Sequence, residues 1–168
     1  MKMIKNLALA ALTVVALVSC GGETTVPTEK APMIVKFDGK QITADTTVVI
    51  SKTAETISGG VEMVFECNVL NNTEKEHDYT ITEDRGSMDM SKYEMSGCVD
   101  QCIPGNGEKI QDWDLDTLVP EEEKSFSSHF GVKPEALAEA AKVPVVYSFT
   151  DGEKVIKVTV NFDYPGAK

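Results

Sequence analysis

The soft, redox-capable side chains of this 168-residue chain are four cysteines, seven methionines and two histidines, and their spacing sorts them. Cys98 and Cys102 stand four positions apart in the segment Gly97-Cys98-Val99-Asp100-Gln101-Cys102-Ile103-Pro104-Gly105. A turn or helical bend brings such a pair toward the roughly 4.4–6.8 Å Cα separation usual for a disulfide. So short a loop contributes only about 2 kcal/mol by chain entropy, and its main effect is to pin a local segment between strands. The same C-x3-C pair is also a soft chelate: Met88, Met90 and Met95 precede it and His129 could join it, a donor set suited to Cu(I). A bridge to Cys67 is the remaining arrangement, although Cys67 shares its alternation with Met63 and Phe65, the setting of a buried free thiol. The chain has no C-x-x-C and no βαβ pattern of the thioredoxin kind.

Carboxylates supply the second chemistry. Asp112, Asp114 and Asp116 alternate with Trp113 and Leu115, and Glu123 follows. Counted from Asp112, acids fall at loop positions 1, 3, 5 and 12 with an apolar residue at 8, which resembles the Ca²⁺ loop of an EF-hand. Thr117 stands where that loop wants Gly, and no helix leads into it. The simpler expectation is a strand with Trp113, Leu115 and Thr117 facing inward and three aspartates facing water. Acid–base catalysis has less support. His77 and His129 are far apart in sequence, and Ser125, Ser127 and Ser128 lack a nucleophile-elbow pattern. The expectation is therefore a non-enzymatic protein with no resident cofactor, Ca²⁺ being the cation the acidic run would take.

The elements that must position these residues follow period two. Val61, Met63, Phe65, Cys67 and Val69 share one face while Glu62, Glu66 and Asn68 occupy the other, which is a strand with one wet side. Ile156, Val158, Val160, Phe162 and Tyr164 repeat the pattern, preceded by a run at 145–150 and an Asp151-Gly152 hairpin signal. Further strands are expected at 33–38, 46–51, 77–83, 88–94, 112–117 and 124–130, with Asp38-Gly39 as another turn. Residues 134–142 (PEALAEAAK) break the rule: Ala-rich, with Pro at a first helical position, they read as one short helix.

Eight or nine short strands in about 130 residues describe an all-β, antiparallel β-sandwich rather than a parallel α/β sheet. The strand running into Asn71-Asn72-Thr73, the 98–102 loop, the 118–130 run and the terminal hairpin resemble the immunoglobulin-like domains of small envelope lipoproteins of Gram-negative bacteria.

The N-terminus carries an address. Lys2 and Lys5 precede the apolar run 7–18, which at about twelve residues is too short to span a bilayer and fits a secretory leader. Leu17-Val18-Ser19-Cys20 resembles the lipobox of bacterial lipoproteins. The resemblance implies cleavage after Ser19, acylation of Cys20 and anchoring in membrane lipid, and Gly21 in place of Asp leans toward the outer membrane. Export also means an oxidising compartment for the remaining cysteines. The chain then divides into a leader (1–19), a lipidated cysteine with a Gly/Pro/Thr tether (20–32) and one sandwich domain (33–168).

Charge excludes some partners. With 16 basic and 27 acidic residues the formal charge is −11. Loss of the leader removes Lys2 and Lys5 but no acid, leaving 14 basic against 27 acidic residues and a charge of −13. Nucleic acid binding needs the opposite sign. At 42% hydrophobic the chain has enough to bury for a folded core. The function these readings support is an envelope interaction or adhesion module with a protein or surface ligand as partner. Binding of a divalent cation by 112–116, or of copper by 88–102, is the alternative.

Overall fold

A computed structural model describes residues 30–167; the leader, Cys20 and most of the tether lie outside them. The chain forms β1 (Met33–Phe37), β2 (Lys40–Ile42), β3 (Thr46–Ile50), β4 (Ala54–Glu55), β5 (Val61–Asn71), β6 (His77–Asp84), β7 (Tyr93–Cys98), β8 (Cys102–Pro104), β9 (Ile110–Leu118), β10 (Glu123–Val132), β11 (Ala141–Thr150) and β12 (Val155–Tyr164). One sheet runs β2-β1-β5-β10-β7-β8 with β4 added beside β5, and the other runs β3-β12-β11-β6-β9. Together they make an immunoglobulin-like β-sandwich. Among the described residues no helix is long and apolar enough to cross a membrane.

Alternation builds both inner faces. Met63, Phe65, Cys67 and Val69 of β5 meet Phe126 and Phe130 of β10 on one side, and Tyr147, Phe149, Val158, Val160 and Phe162 come from the other sheet, all essentially inaccessible to water. Phe130 stacks on Phe162 across the interface at 4.9 Å, and Phe65 lies 5.0 Å from Tyr147. Each such ring contributes about 1.5–3 kcal/mol by leaving water. The two turn signals act as expected. Asp38 and Gly39 both take positive φ (48° and 71°) in a two-residue hairpin between Phe37 and Lys40, and Asp151-Gly152 turns β11 into β12.

Three expectations need correction. The sandwich is not wholly antiparallel: β3 runs parallel to β12, because a tight connection after β2 carries the chain across to the other sheet, where Asp45 accepts the Lys157 N–H. The helix expected at 134–142 shrinks to one 3₁₀ turn, Pro134–Ala136. An isolated nine-residue helix is too short to hold itself. The inward parity of Val143, Val145 and Tyr147 draws strand structure back to Ala141, while the C-terminal segment takes the Leu137 carbonyl through Ala167 N–H and Tyr164 O–H. The strand expected at 88–94 starts only at Tyr93, since Asp89 closes a turn by accepting from Ser91 N–H and its carbonyl accepts from Lys92 and Tyr93.

The core also holds an ion pair that alternation hides. Tyr79, Ile81 and Glu83 point inward from β6, and Arg85 follows with the same parity. The Arg85 Nε–H donates to Glu83 Oε1 at 2.6 Å, with both side chains 1% exposed or less. Trp113 Nε1–H (3.1 Å) and Ser128 O–H (3.4 Å) donate to Glu83 Oε2, and Tyr147 O–H donates to Ser128. Arg85 spends its remaining N–H groups on Gln111 Oε1, the Glu108 carbonyl and Asn106 Oδ1. A buried pair fully supplied with partners offsets its desolvation, but a single survivor does not. Arg85→Ala should therefore lower stability by about 3–5 kcal/mol in urea unfolding, with Glu83→Leu/Arg85→Met recovering most of it. A single variant that unfolds at the wild-type urea concentration would contradict this account.

Candidate functional site

The outer face of the larger sheet collects the chemistry. On β10, Ser127 and His129 point away from the core, with Phe126, Ser128 and Phe130 pointing in. His129 is registered against Val64 of β5 and Ser96 of β7. Cys98 ends β7 and Cys102 begins β8, so the two face each other across a hairpin whose turn is Val99-Asp100-Gln101. They form the disulfide that their spacing allowed, with Cα atoms 4.0 Å apart, leaving Cys67 as a buried free thiol. Gly97 must be glycine for this hairpin to lie flat, because a Cβ there would sit 2.5 Å from the Trp113 ring. Gly105 plays the same part beyond it, where a Cβ would meet the Arg85 guanidinium at 2.8 Å and the Met95 carbonyl at 2.7 Å. The turn itself is held by Lys124, whose ammonium lies 2.8 Å from Asp100 and 3.3 Å from Asp116.

The half-buried imidazole of His129 links these groups. Its Nδ1 lies 3.2 Å from Glu62 Oε2 and its Nε2 lies 3.3 Å from Ser127 Oγ and 3.6 Å from Cys98 Sγ. A carboxylate only accepts, so Nδ1 carries the proton donated to Glu62, and Nε2 faces Ser127 Oγ and the Cys98 sulfur. Glu62 was visible in the sequence only as an outward residue of its strand. The 67 positions between it and His129 are closed by the β5–β10 register. A groove of about 310 Å³ runs alongside, lined by Glu62, Met90, Glu94, Gly105 and His129 among others.

The line Ser127–His129–Glu62 has the order of a hydrolytic triad, which the sequence did not lead one to expect. The described β10 backbone around it does not offer the free, convergent N–H groups that stabilise a tetrahedral oxyanion. β10 is hydrogen-bonded to β5 on one side and β7 on the other throughout Ser127–Val132, so the backbone N–H groups around Ser127 are already taken by the ladders. What the arrangement does offer is an oriented imidazole beside an accessible disulfide.

The other candidates are dispersed. Asp112 accepts from Thr82 O–H across β6–β9, and Asp114 accepts from the Asp116 N–H. Asp116 occupies a bulge where the β6–β9 register slips between Asp78 and Thr80, with φ at 62°, and turns toward Lys124. Glu123 belongs to the other sheet and pairs with Lys36, whose hydrogen bond is the chief reason its carboxyl sits below the usual range. The EF-hand spacing of Asp112, Asp114, Asp116 and Glu123 is thus laid out along a bulged strand and its neighbour, not wrapped into a loop. The Met/Cys set is divided as well: Met95 faces the core, on the opposite side of β7 from Cys98. His77 lies at the start of β6, and Ser128 belongs to the buried Glu83 network. Among the described residues, the cluster of three metal-ligating side chains is Cys98, Cys102 and His129, whose ligand atoms lie within 4.8 Å of one another.

No protein-family model matches the sequence, and no curated protein matches it. Solved structures do. The N-terminal domain of PorA is similar with a TM-score of 0.59 at 18% identity, covering 81% of this chain and 99% of that one. A FixG-related protein from Vibrio parahaemolyticus aligns with a TM-score of 0.43 at 16% identity, over 80% of this chain and 97% of that one. CfaE, the adhesive subunit of the CFA/I fimbria of enterotoxigenic Escherichia coli, aligns with a TM-score of 0.47 at 9% identity, over 83% of this chain and 50% of that one. At these identities the likeness to PorA shows a shared fold over a whole domain, and the two lower scores carry nothing further.

Burial dictates how the unused ionisable groups respond to pH. Desolvation, with a smaller push from Glu66, raises the Cys67 thiol, and desolvation first with Glu83 second raises the Tyr147 phenol. Tyr79, whose hydroxyl is buried without a hydrogen-bond partner among the described residues, is pushed up to about 12 by burial and by Asp151. A raised folded-state value means that unfolding frees the group to ionise. Stability from these sites is complete below the ordinary thiol and phenol values, about 8.5 and about 10, and falls as pH climbs past them. A thiol-alkylating reagent at pH 8 should leave Cys67 unmodified in the native chain and label it only as denaturant unfolds the core. Labelling at native conditions would show that the core opens there.

Proposed function

We propose that this chain is a lipid-anchored domain of the cell envelope that binds a protein or surface ligand and does not catalyse a reaction. The leader and lipobox supply the anchor at Cys20. The observation that carries the reading is where the tether joins the sandwich. Asn72 donates its backbone N–H to the Pro32 carbonyl and its side-chain N–H to the Ala31 carbonyl, fixing the last tether residues to the end that bears the β5–β6 and β9–β10 turns. Register puts the connections 51–60, 85–92 and 133–140 at the opposite end. Loops at that end are free to meet a partner, and one of them carries a fully exposed Ile57. The surplus of acid repels anionic lipid and helps the domain stand off the membrane.

The reading has two tests. Cys20→Ser should abolish incorporation of labelled fatty acid and release the domain from the membrane fraction. A photo-crosslinker at Ile57 should capture a partner in intact cells, whereas one at Glu121, beside the tether, should not. Crosslinking confined to Glu121 would reverse the proposed orientation, and turnover of an ester or peptide that depends on Ser127 would replace binding with hydrolysis.

A further inference from the structure

The disulfide and the imidazole beside it belong to different elements, and the sheet register alone brings them together. We propose that reduction of Cys98–Cys102 converts this corner of the outer face into a Cu(I) site, with Cys98 Sγ, Cys102 Sγ and His129 Nε2 as its ligands. This goes beyond the binding function above and does not rest on it.

Three observations support the site. The donor atoms are already gathered: Nε2 is 3.6 Å from Cys98 Sγ, and all three lie within 4.8 Å of one another, so little of the sheet has to move. The imidazole is oriented as metal-bound histidines are. Its Nδ1–H is directed at Glu62, the kind of carboxylate partner that fixes metal-bound histidines, and Nε2 faces the Cys98 sulfur. Access is open as well, since Cys102 is exposed, Cys98 and His129 are half-buried, and the groove lined by Glu62 and Met90 leads to the ring. The donor set selects the ion. Two thiolates and an imidazole are soft, and three donors meet the low coordination number of Cu(I), whereas a closed Zn²⁺ site asks for four. Met95 is no fourth ligand, because it faces the core.

The chemistry balances with a dithiol reductant. The dithiol gives two electrons and two protons and becomes a disulfide; the Cys98–Cys102 S–S bond breaks and two thiols form. Cu(I) then displaces both thiol protons to solvent without changing its own oxidation state. The oxidised hairpin, with its sulfurs tied to each other, has only one free nitrogen donor and does not hold the ion.

The test uses the full chain carrying Cys20→Ser, so that the N-terminal thiol contributes nothing. After anaerobic reduction by a dithiol and its removal, the protein is titrated with Cu(I) supplied as the bicinchoninate complex. The expected result is one Cu(I) per reduced chain, none per oxidised chain, and an X-ray absorption spectrum of two sulfurs and one nitrogen. Glu62→Gln should weaken binding roughly 10–100-fold, the range seen when the partner of a ligating histidine is removed, and His129→Gln at least as much, with circular dichroism confirming that both remain folded. The proposal is overturned if the reduced chain takes no copper from bicinchoninate, if His129→Gln binds as tightly as its parent, or if the site takes Zn²⁺ but not Cu(I). The absorption spectrum of the unmutated site decides between sulfur–nitrogen and sulfur-only ligation even if a variant fails to fold.

Discussion

The buried pairing of Glu83 with Arg85 governs more of this molecule than any apolar contact. A carboxylate and a guanidinium taken out of water must each find partners, and here the partners come from both sheets: Ser128 from the larger, Trp113, Gln111 and, through Ser128, Tyr147 from the smaller. Arg85 also reaches the Glu108 carbonyl and Asn106, which lie in the connection from β8 to β9. That connection is the exit of the disulfide hairpin. The charge in the core therefore seats the hairpin from below, and the two glycines that let it come close, Gly97 and Gly105, face Trp113 and Arg85 respectively. Interior electrostatics and the outer-face site are joined through this one stretch of chain.

Much of the fold was legible because burial on one face writes itself as alternation. The strands around Val61–Asn71 and Val155–Tyr164 and both Asp-Gly hairpins follow from that pattern and from turn chemistry. The pattern fails where a local signal is weaker than a distant one. Ala-rich residues at 134–142 have good helical propensity, yet the inward parity of Val143 and Val145 and the capture of the Leu137 carbonyl by the C-terminus override it. β4 and β8, with two and three residues, are too short to show any period. Glu83 and Arg85 were hidden for a related reason: a charge at an inward position looks like the end of a strand until its partners are known.

The candidate site was half legible. The C-x3-C pair declared itself, and Ser127 and His129, two apart on a strand, necessarily share a face. Glu62 did not, because its place beside His129 depends on the β5–β10 register. The acidic run reads most simply as a strand with its aspartates facing water, and that strand forms, with the bulge leaving Thr117 exposed where an inward place was expected. Spacing along the chain suggested a wrapped loop, but the inward claims of Trp113 and Leu115 keep Asp112 and Asp114 on a strand, and the bulge at Asp116 sends the third acid toward Lys124.

The way the chain joins the sandwich has a mechanical meaning. Ala31 and Pro32 are tied to Asn72, and β1 begins at Met33 against the last residue of β5, so residues 31 and 32 lead straight into β1. With the proposed anchor at one end and the proposed partner gripped at the other, tension would run along the axis of β1. The ladder bonds of β1 with β5 would then be stretched together, in shear, instead of opening one after another as in a peeled hairpin. If the chain is anchored through Cys20 as proposed, a domain threaded this way resists being drawn out from its N-terminal side, and the contacts of Lys30 with Glu121 and of Ala31 and Pro32 with Asn72 take the load first.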